Sequence, residues 1–230
     1  MDVIIVSKTH MSSAACVGGL ATNGKFVRLL DENGFNQPTD TDFEVRQVWS
    51  IEFNERPNPT APHVEDVLIT SKTLKGTLKN ELSMLQMVKR YNAPIWKGSP
   101  DNLFDGLLNW TNNGSGYINE EGGTPQHSVG FWMANQPLKR HILRGKRDDG
   151  VEYESIRYNY PNINGWRNLP YVGFDEAIEI IPAGTLIRVS LARWWDRNGQ
   201  TENRCSLQLS GWYDLPQNDQ VEEVDDDLPF

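Results

Sequence analysis

Acid–base chemistry is the first possibility that the residue types raise, at positions 63–66. His63, Glu65 and Asp66 stand close together and could act as metal ligands or as a general acid–base group. No second ligand group accompanies them, and no Gly-rich phosphate loop, Gly-x-Ser-x-Gly or His-Glu-x-x-His motif occurs. A hydrolase centred on His63 stays an alternative, and the sequence favours a non-enzymatic protein without metal or cofactor.

The two cysteines offer a second possible chemistry. Cys16 could act as a nucleophile beside His10, but its small apolar neighbours are typical of a structural thiol. Cys16 and Cys205 are far apart in sequence and fit no metal-ligand spacing. We therefore expect two reduced thiols in a cytoplasmic protein.

Cations and aromatic residues of the second half could hold a nucleic acid. Residues 138–147 form the most basic stretch, and further arginines at 157, 167 and 188 could extend it into a groove. Strand geometry points Trp194 and Trp195 to opposite faces, so one is expected in the core and the other on bases. For any single Trp, core packing is the alternative. The predicted nucleic-acid contacts are Lys139, Arg140, Arg144, Lys146, Arg147, Trp166, Arg193, Trp194, Trp195 and Arg197.

Negative charge is concentrated at the C-terminal end. The chain has 230 residues and a formal net charge of -9. Residues 216–230 hold six acids and no base, and the remainder has 25 acids against 22 bases. The body is therefore nearly neutral, and the acidic end is a separate electrostatic object that does not exclude nucleic-acid binding elsewhere.

Two further classes of protein are not expected. No apolar run is long enough for a transmembrane helix, so we expect no contact with a membrane. The first ten residues, MDVIIVSKTH, have neither a basic segment nor a long apolar segment, and they indicate a buried first strand rather than a signal peptide.

Short β-rich runs must position these groups in the first half. Val3-Ile4-Ile5-Val6 is an apolar run of strand length, and Asn23-Gly24 between two apolar runs predicts a hairpin. The spacing of apolar residues then predicts a helix over 80–90 with Asn80 as N-cap. A second short helix over 101–110 and a loop over 111–124 are expected to follow.

Strands are expected again after Ser128. Asx-Gly turns are predicted at residues 147–150 and 197–199. The predicted strands cover residues 129–133, 138–143, 152–158, 186–195 and 204–212. Five strands in each half, with helices between them, predict a mainly β protein of two small barrels.

Several short motifs in residues 1–213 resemble the dual OB-containing domain family. These are Cys16-Val17-Gly18-Gly19-Leu20, Gly24-Lys25-Phe26-Val27-Arg28, the segment from Pro62 to Val67, and Leu207 to Tyr213. Leu29 stands where the family usually has Pro, and Gly18 where it has Ala. The resemblance implies two OB-type barrels in one chain, a fold that commonly binds single strands or oligosaccharides.

The last six residues are similar to the C-terminal tip of bacterial single-stranded DNA-binding proteins, usually Asp-Asp-Asp-Ile-Pro-Phe. Here the tip is Asp225, Asp226, Asp227, Leu228, Pro229 and Phe230, with Leu replacing Ile. A partner pocket could bury the Phe230 ring while an Arg binds its carboxylate. The resemblance implies docking to genome-maintenance proteins such as a RecQ-type helicase, the primosomal helicase or exonuclease I. An acidic tail could serve solubility alone, but solubility requires no terminal Phe.

These inferences predict a first OB-type barrel at 1–78, a helical insert at 79–124, a second barrel at 125–215 and a disordered acidic tail at 216–230. The expected function is binding of single-stranded nucleic acid, DNA before RNA, with protein docking through the tail. The expected setting is the cytoplasm of a bacterium, with the gene on a bacterial or phage genome. The alternative is a decoy or inhibitor whose tail acts alone and whose barrels bind no nucleic acid.

Overall fold

The first barrel is built from the N-terminal strands of the chain. The computed structural model describes residues 1–78, 83–146, 150–163, 165–196 and 202–215. Within these ranges the protein is mainly β, as predicted. The first six strands are β1 (Asp2–Met11), β2 (Ala14–Ala21), β3 (Phe26–Leu30), β4 (Gln37–Pro38), β5 (Gln47–Glu55) and β6 (Asp66–Thr77).

Five of these strands close into a barrel in the order β1-β5-β6-β3-β2, because β2 pairs back onto β1. All neighbours are antiparallel except β3 and β6, and the short β4 extends β2 at one edge. Gly24, with φ +85°, forms the predicted turn between β2 and β3. At Gly19 a Cβ would lie 2.2 Å from a Val3 methyl carbon, so the close approach of β1 and β2 requires glycine there.

The second barrel follows after one helix, α1 (Met84–Arg90). A 3-10 segment spans Pro100–Gly106. The strands are β7 (Ile95–Gly98), β8 (Asn109–Trp110), β9 (Gly116–Asn119), β10 (Val129–Ala134), β11 (Leu138–Lys146), β12 (Glu152–Asn162), β13 (Gly165–Pro170), β14 (Ile180–Ile181), β15 (Leu186–Leu191) and β16 (Arg204–Tyr213).

These strands form two sheets that face each other across one apolar core. One sheet has the order β7-β10-β15-β16-β9-β8, and the other has the order β13-β12-β11-β14. Isolated bridges from Ser115 to Asn168 and from Tyr171 to Leu209 connect them. With the closed first barrel, this half-barrel arrangement confirms the predicted pair of OB-type barrels.

An apolar cluster shared by both barrels explains why the first strand is hydrophobic on both faces. Val3 and Ile5 point into the first barrel's core, whereas Ile4 and Val6 pack towards Phe131 of the second barrel. The Tyr213 hydroxyl donates to the Val6 carbonyl oxygen, and α1 fills the space beside this cluster with Met84, Met87 and Val88. The barrels are therefore joined by core packing as well as by the chain.

The predicted helix is shorter than expected and begins later. Ser83 is the N-cap and forms a capping box with Gln86, because each side chain accepts from the other's backbone N–H. The proposed N-cap, Asn80, lies outside the described residues. The short helix expected over 101–110 is confirmed only in part, because a 3-10 helix spans Pro100–Gly106 and the segment ends in β8. The expected loop over 111–124 contains β9, which pairs with β16.

The predicted domain boundaries stay predictions. The region assigned to a helical insert, 79–124, contains α1 and also supplies β7, β8 and β9 to a sheet of the second barrel. The acidic tail, 216–230, lies outside the described residues, as do the predicted turn residues 147–149 and 197–199. Among the described helices, none is long and apolar enough to cross a membrane.

Candidate nucleic-acid interface

The register between β11 and β12 sorts the predicted basic stretch onto two faces. Tyr158 lies opposite Arg140, and Glu154 lies opposite Arg144. Residues directly opposite in an antiparallel pair share a face. Leu138, Tyr158 and Tyr160 on this face are buried in the second barrel's core, so it is the inner face of the sheet. The alternate residues therefore point outward.

Three predicted contact residues lie on the inner-facing side, where acceptors surround them. Arg140 donates to the Ala177 carbonyl oxygen and pairs with Glu179 at 3.4 Å. Arg144 pairs with Glu154 at 2.7 Å, at the end of the hairpin that extends beyond the core. Lys146 stands directly opposite Glu152. Much of the positive charge seen in the sequence is therefore matched by acids of the same hairpin.

The outer face of this sheet carries cations, amides and aromatics without a carboxylate. In the described residues of β11, β12 and β13, no Asp or Glu falls on this side. We call this surface the outer face, and its polar and aromatic members are Lys139, His141, Tyr153, Ser155, Arg157, Asn159, Trp166 and Asn168. Lys139 and Trp166 are the two predicted site residues that the structure brings together here.

Arg157 lies at the centre of the outer face and is held by its neighbours. One terminal nitrogen donates to the Ser115 hydroxyl and to the Asn168 side-chain oxygen, each at 3.3 Å. Half-burial lowers the pKa of its guanidinium from the ordinary value, while Tyr153 acts in the opposite sense. The group remains a cation at neutral pH and is pre-oriented, which reduces the ordering cost of gripping a phosphate.

Trp166 presents the largest aromatic surface of this face. Its side chain is 60% exposed, opposite Pro161 at the start of β13. The next residue, Arg167, points the other way, pairs with Asp101 at 3.0 Å and stacks on Trp110. Trp166 is therefore free to stack on a base, whereas Arg167 fixes the strand that carries it.

The remaining predicted residues lie elsewhere, near the junction of the barrels. Trp194 packs against the second core and donates its indole N–H to the Ala61 carbonyl oxygen at 2.7 Å. Trp195 is 61% exposed and forms a bridge with Arg204. The two rings thus differ in burial, since Trp194 is partly buried and Trp195 is exposed, and stacking of either ring on bases stays a prediction. Arg147 and Arg197 lie outside the described residues, as does the docking tip 225–230.

Arg193 belongs to an ion cluster that surrounds one buried carboxylate and joins the barrels. Its guanidinium pairs with Asp66 at 2.6 Å, and Arg56 pairs with the same carboxylate at 2.8 Å. Arg28 pairs with the other oxygen of Asp66, whose side chain is 1% exposed. We call these four residues the Asp66 cluster. Burial alone would raise the pKa of Asp66, but Arg28 and Arg193 outweigh burial and hold that pKa below its usual range.

His63 lies beside the Asp66 cluster with a role in packing. Its Nε2 is 3.2 Å from the Leu191 carbonyl oxygen and 3.1 Å from that of Ala192, so Nε2 carries the proton of the neutral ring. Burial, then Arg28 and Arg193, lower the pKa of His63 to about 4. Among the described residues, no group of three or more His, Cys, Asp or Glu is placed to hold a metal ion.

Two features of these sites depend on contacts that cannot be read from the sequence. In the sequence Arg157 is one of several arginines. Its position on the outer face follows only from the strand register. The partners of Asp66 are separated from it by up to 127 residues, so pairing was foreseeable but the partners were not. One signal is present in the sequence. If residues 138–146 form a strand, alternation of side-chain direction places Lys139 on the face opposite to Arg140, Arg144 and Lys146.

Comparison with known proteins agrees with the architecture. None of the curated proteins matches the chain. The sequence model of the dual OB-containing domain matches residues 1–212, which covers both barrels and confirms the resemblance seen in the motifs. A pair of OB barrels is a fold of the nucleic-acid-binding type. The chain belongs to the dual OB-containing domain family.

Proposed function

We propose that this protein binds single-stranded nucleic acid, DNA before RNA, on the outer face of its second barrel. The observation that carries the proposal is the segregation of charge across one sheet. The outer face has Lys139 and Arg157 and no carboxylate, whereas cations on the reverse side face Glu152, Glu154 and Glu179. A phosphate backbone approaching the outer face meets attraction without a competing acid.

The chemistry of the outer face suits an unpaired strand with little sequence preference. Trp166 supplies a flat apolar ring, and every base has a face that can stack on it. Lys139 and Arg157 supply charge for phosphates, and the amides of Asn159 and Asn168 can exchange hydrogen bonds with sugar or base edges. A duplex hides its base faces, so a surface that depends on stacking favours single strands.

We propose in addition that residues 225–230 dock proteins that recognise the tips of single-stranded DNA-binding proteins. The support is the sequence likeness, since these residues lie outside the described part of the chain. The candidate partners are a RecQ-type helicase, the primosomal helicase and exonuclease I, in the cytoplasm of a bacterium. The aspartates would speed encounter with a basic pocket, and the Phe230 ring would supply the anchor.

The test of docking is retrieval of proteins from a bacterial lysate by the intact chain and by a chain without Phe230. We expect helicase or exonuclease partners to be retrieved only by the intact chain. Equal retrieval by both chains would remove the docking proposal without touching the nucleic-acid proposal.

The alternative function is a decoy or inhibitor whose barrels bind no nucleic acid. Titration with labelled dT oligomers separates the two functions, because only the first predicts binding that weakens as salt is raised. A chain that retrieves the partners but ignores oligomers at modest ionic strength would favour the decoy.

A further inference from the structure

A cleft between the two barrels is walled by polar side chains from both. Ser7 and Gly18 of the first barrel face Ser190 and Ser210 of the second across it, and Arg188 lies at its inner wall. Its volume is about 50 Å³, several times the roughly 10–15 Å³ that one water needs on the same measure. His10 and Met11, both exposed, lie where the cleft meets solvent. A small solute therefore has both room and an entrance.

Arg188 is a buried cation, and two of its three guanidinium nitrogens have no hydrogen-bond acceptor among the described residues. It is 1% exposed, and its guanidinium lies 4.7 Å from the ring centre of Phe26 and 5.1 Å from that of Phe131. These two nitrogens, Nε and one Nη, are both buried. Burying an Arg without an anion or acceptor is costly, so natural proteins rarely keep one for packing alone.

A glycine beside Arg188 lets the Ser7 hydroxyl lie against the β2 backbone. A Cβ added to Gly18 would lie 3.8 Å from the third guanidinium nitrogen, Nη2, and 2.3 Å from the Ser7 hydroxyl oxygen. Any side chain at position 18 would therefore enter the place where the guanidinium and the hydroxyl converge. The close approach of the Ser7 hydroxyl to β2 therefore requires glycine at this position.

The charged side chains that line the cleft are mostly positive. Among the described residues, Arg28, Arg188 and Arg193 line it together with one carboxylate, Glu65, and Arg28 and Arg193 share the carboxylate of Asp66 behind it. Glu65 is already engaged, because it accepts from the Ser128 backbone N–H at 2.6 Å and from the Ser128 hydroxyl at 2.9 Å. Burial lowers the pKa of Arg188 to about 10, with Tyr213, Glu65 and Cys16 acting in the opposite sense, so it stays charged at neutral pH.

The donor set favours a tetrahedral oxyanion. Ser7 of the first barrel and Ser190 and Ser210 of the second line the cleft together with Arg188, so hydroxyl and guanidinium donors come from both barrels. A planar carboxylate offers two oxygens in one plane, whereas a phosphate offers several in different directions and accepts an Arg fork readily. Ser190 and Ser210 now bond each other at 2.9 Å, and either hydroxyl can turn towards an incoming acceptor.

We propose that the inter-barrel cleft binds a phosphate group, with Arg188 as its principal charge partner and the Ser7, Ser190 and Ser210 hydroxyls as additional donors. The phosphate could be free, part of a nucleotide or the end of a strand. The proposal does not depend on binding of single strands to the outer face, which lies on another sheet.

The test is calorimetric titration of the full chain with inorganic phosphate, with sodium chloride adjusted to hold ionic strength constant. Saturable binding of one phosphate per chain is expected, with a rise in the melting temperature that saturates at the same concentration. Titration with acetate is the comparison for anion shape. Absence of saturable phosphate binding, or equally tight binding of acetate, would overturn the proposal.

Two variants assign the binding to the cleft. Arg188→Met keeps a long apolar side chain between the two Phe rings and should weaken phosphate binding at least tenfold. Arg144→Met removes the same charge from an exposed site, 76% accessible, and should leave binding unchanged. If Arg188→Met fails to fold, Ser190→Ala combined with Ser210→Ala removes a mutually bonded pair without leaving an orphan. That double variant should weaken binding severalfold, and unchanged binding would contradict the assignment.

The source of the phosphate is set by two further titrations of the wild-type chain. A nucleoside 5′-monophosphate and a 5′-phosphorylated dT oligomer are compared with inorganic phosphate, and the same oligomer without its phosphate is the control. Binding that requires the phosphate and is lost in the Arg188 variant supports the proposal for each source. If the oligomers bind equally with and without the terminal phosphate, and equally to the Arg188 variant, that binding is assigned to the outer face and not to the cleft.

Discussion

The outer face and the Asp66 cluster both gather arginines, but the groups that the fold places around those arginines differ. In the Asp66 cluster, three arginines surround one carboxylate that is 1% exposed. On the outer face, Arg157 is bound to neutral oxygens and Lys139 is exposed. The first arrangement joins the barrels, and the second leaves cations available to a ligand.

The difference shows that counting cations in a sequence cannot separate structural charge from binding charge. What separates them is the number of acids that the fold places within reach. Arg193 pairs with Asp66. Arg140 pairs with Glu179 and donates to a backbone oxygen. Lys139, next to Arg140 in the chain, points to a side where the described strands have no carboxylate.

The largest expected effect comes from removing the central carboxylate of the Asp66 cluster. Asp66→Asn leaves Arg28, which is 13% exposed, without its counter-ion and removes the partner of Arg56 and Arg193. Loss of one partner of a buried ion pair costs about 3–5 kcal/mol. Urea unfolding of the variant should show a loss of that size. The matched control is Glu154→Gln, which removes the partner of exposed Arg144 and should cost less than about 1 kcal/mol. Equal losses in both variants would show that the Asp66 cluster contributes no more to stability than an exposed ion pair.

The second effect is a pH dependence that arises at His63. The pKa of His63 is about 4 in the folded protein and about 6.5 in an unfolded chain. As the pH falls below 6.5, the unfolded chain takes up a proton that the folded chain refuses until about pH 4. Unfolding therefore becomes easier across that window, by about 3 kcal/mol in total.

Replacing the ring tests the origin of this slope. His63→Gln keeps an N–H donor for the carbonyl oxygens of Leu191 and Ala192 but cannot titrate. The free energy of unfolding of the variant, measured between pH 7 and pH 4.5, should be flatter than that of the wild type. An identical slope in both chains would show that other groups cause it. Asp66 acts at lower pH, because its contribution is lost only as the pH falls through its depressed folded-state pKa.

The third effect concerns stacking on the outer face. Trp166→Ala should weaken binding of a dT oligomer by about 1–3 kcal/mol, since each stacked base contributes roughly that amount. Trp195→Ala is the control, because Trp195 is equally exposed but lies beside Arg204 on another sheet. Anisotropy titrations compare the two. A loss confined to Trp195→Ala would move the stacking platform away from the outer face.

The smallest effect concerns the acidic tail. Residues 222–230 carry five acids, which at low ionic strength can compete with DNA for the cations of the body. Deleting them should raise the affinity for dT oligomers by less than about tenfold at low salt, and the gain should disappear at high salt. The same titration of both chains decides, and an unchanged affinity at low salt would refute competition by the tail.

Much of the fold could be predicted because local patterns agree with it. The run Val3-Ile4-Ile5-Val6 predicted a buried strand, and burial on both faces explains why it does not alternate. Asn23-Gly24 predicted the turn before β3. The helix start was missed although Ser83 and Gln86 have capping-box spacing, since Asn80 offered a competing N-cap.

The candidate sites were less predictable because they depend on contacts distant in sequence. The partners of Asp66 come from β3, the loop before β6 and the segment after β15. The neutralising acids of β12 become relevant only when the hairpin register is known. Arg188 gave one usable signal, a lone cation within the apolar strand Leu186–Leu191, but its cleft requires both barrels.

Binding of single strands to the outer face is tested most directly by two double variants on opposite faces of one sheet. The quantity measured is the salt dependence of their binding to a dT oligomer. Lys139→Met with Arg157→Met removes two cations from the outer face, and Arg144→Met with Lys146→Met removes two from the reverse side. The slope of log affinity against log salt changes by about 0.7 for each lost phosphate contact on a single strand. We expect a slope shallower by about 1.4 for the first variant and an unchanged slope for the second. A wild-type chain that does not bind the oligomer at modest ionic strength, or a slope altered only by the second variant, would contradict binding at the outer face.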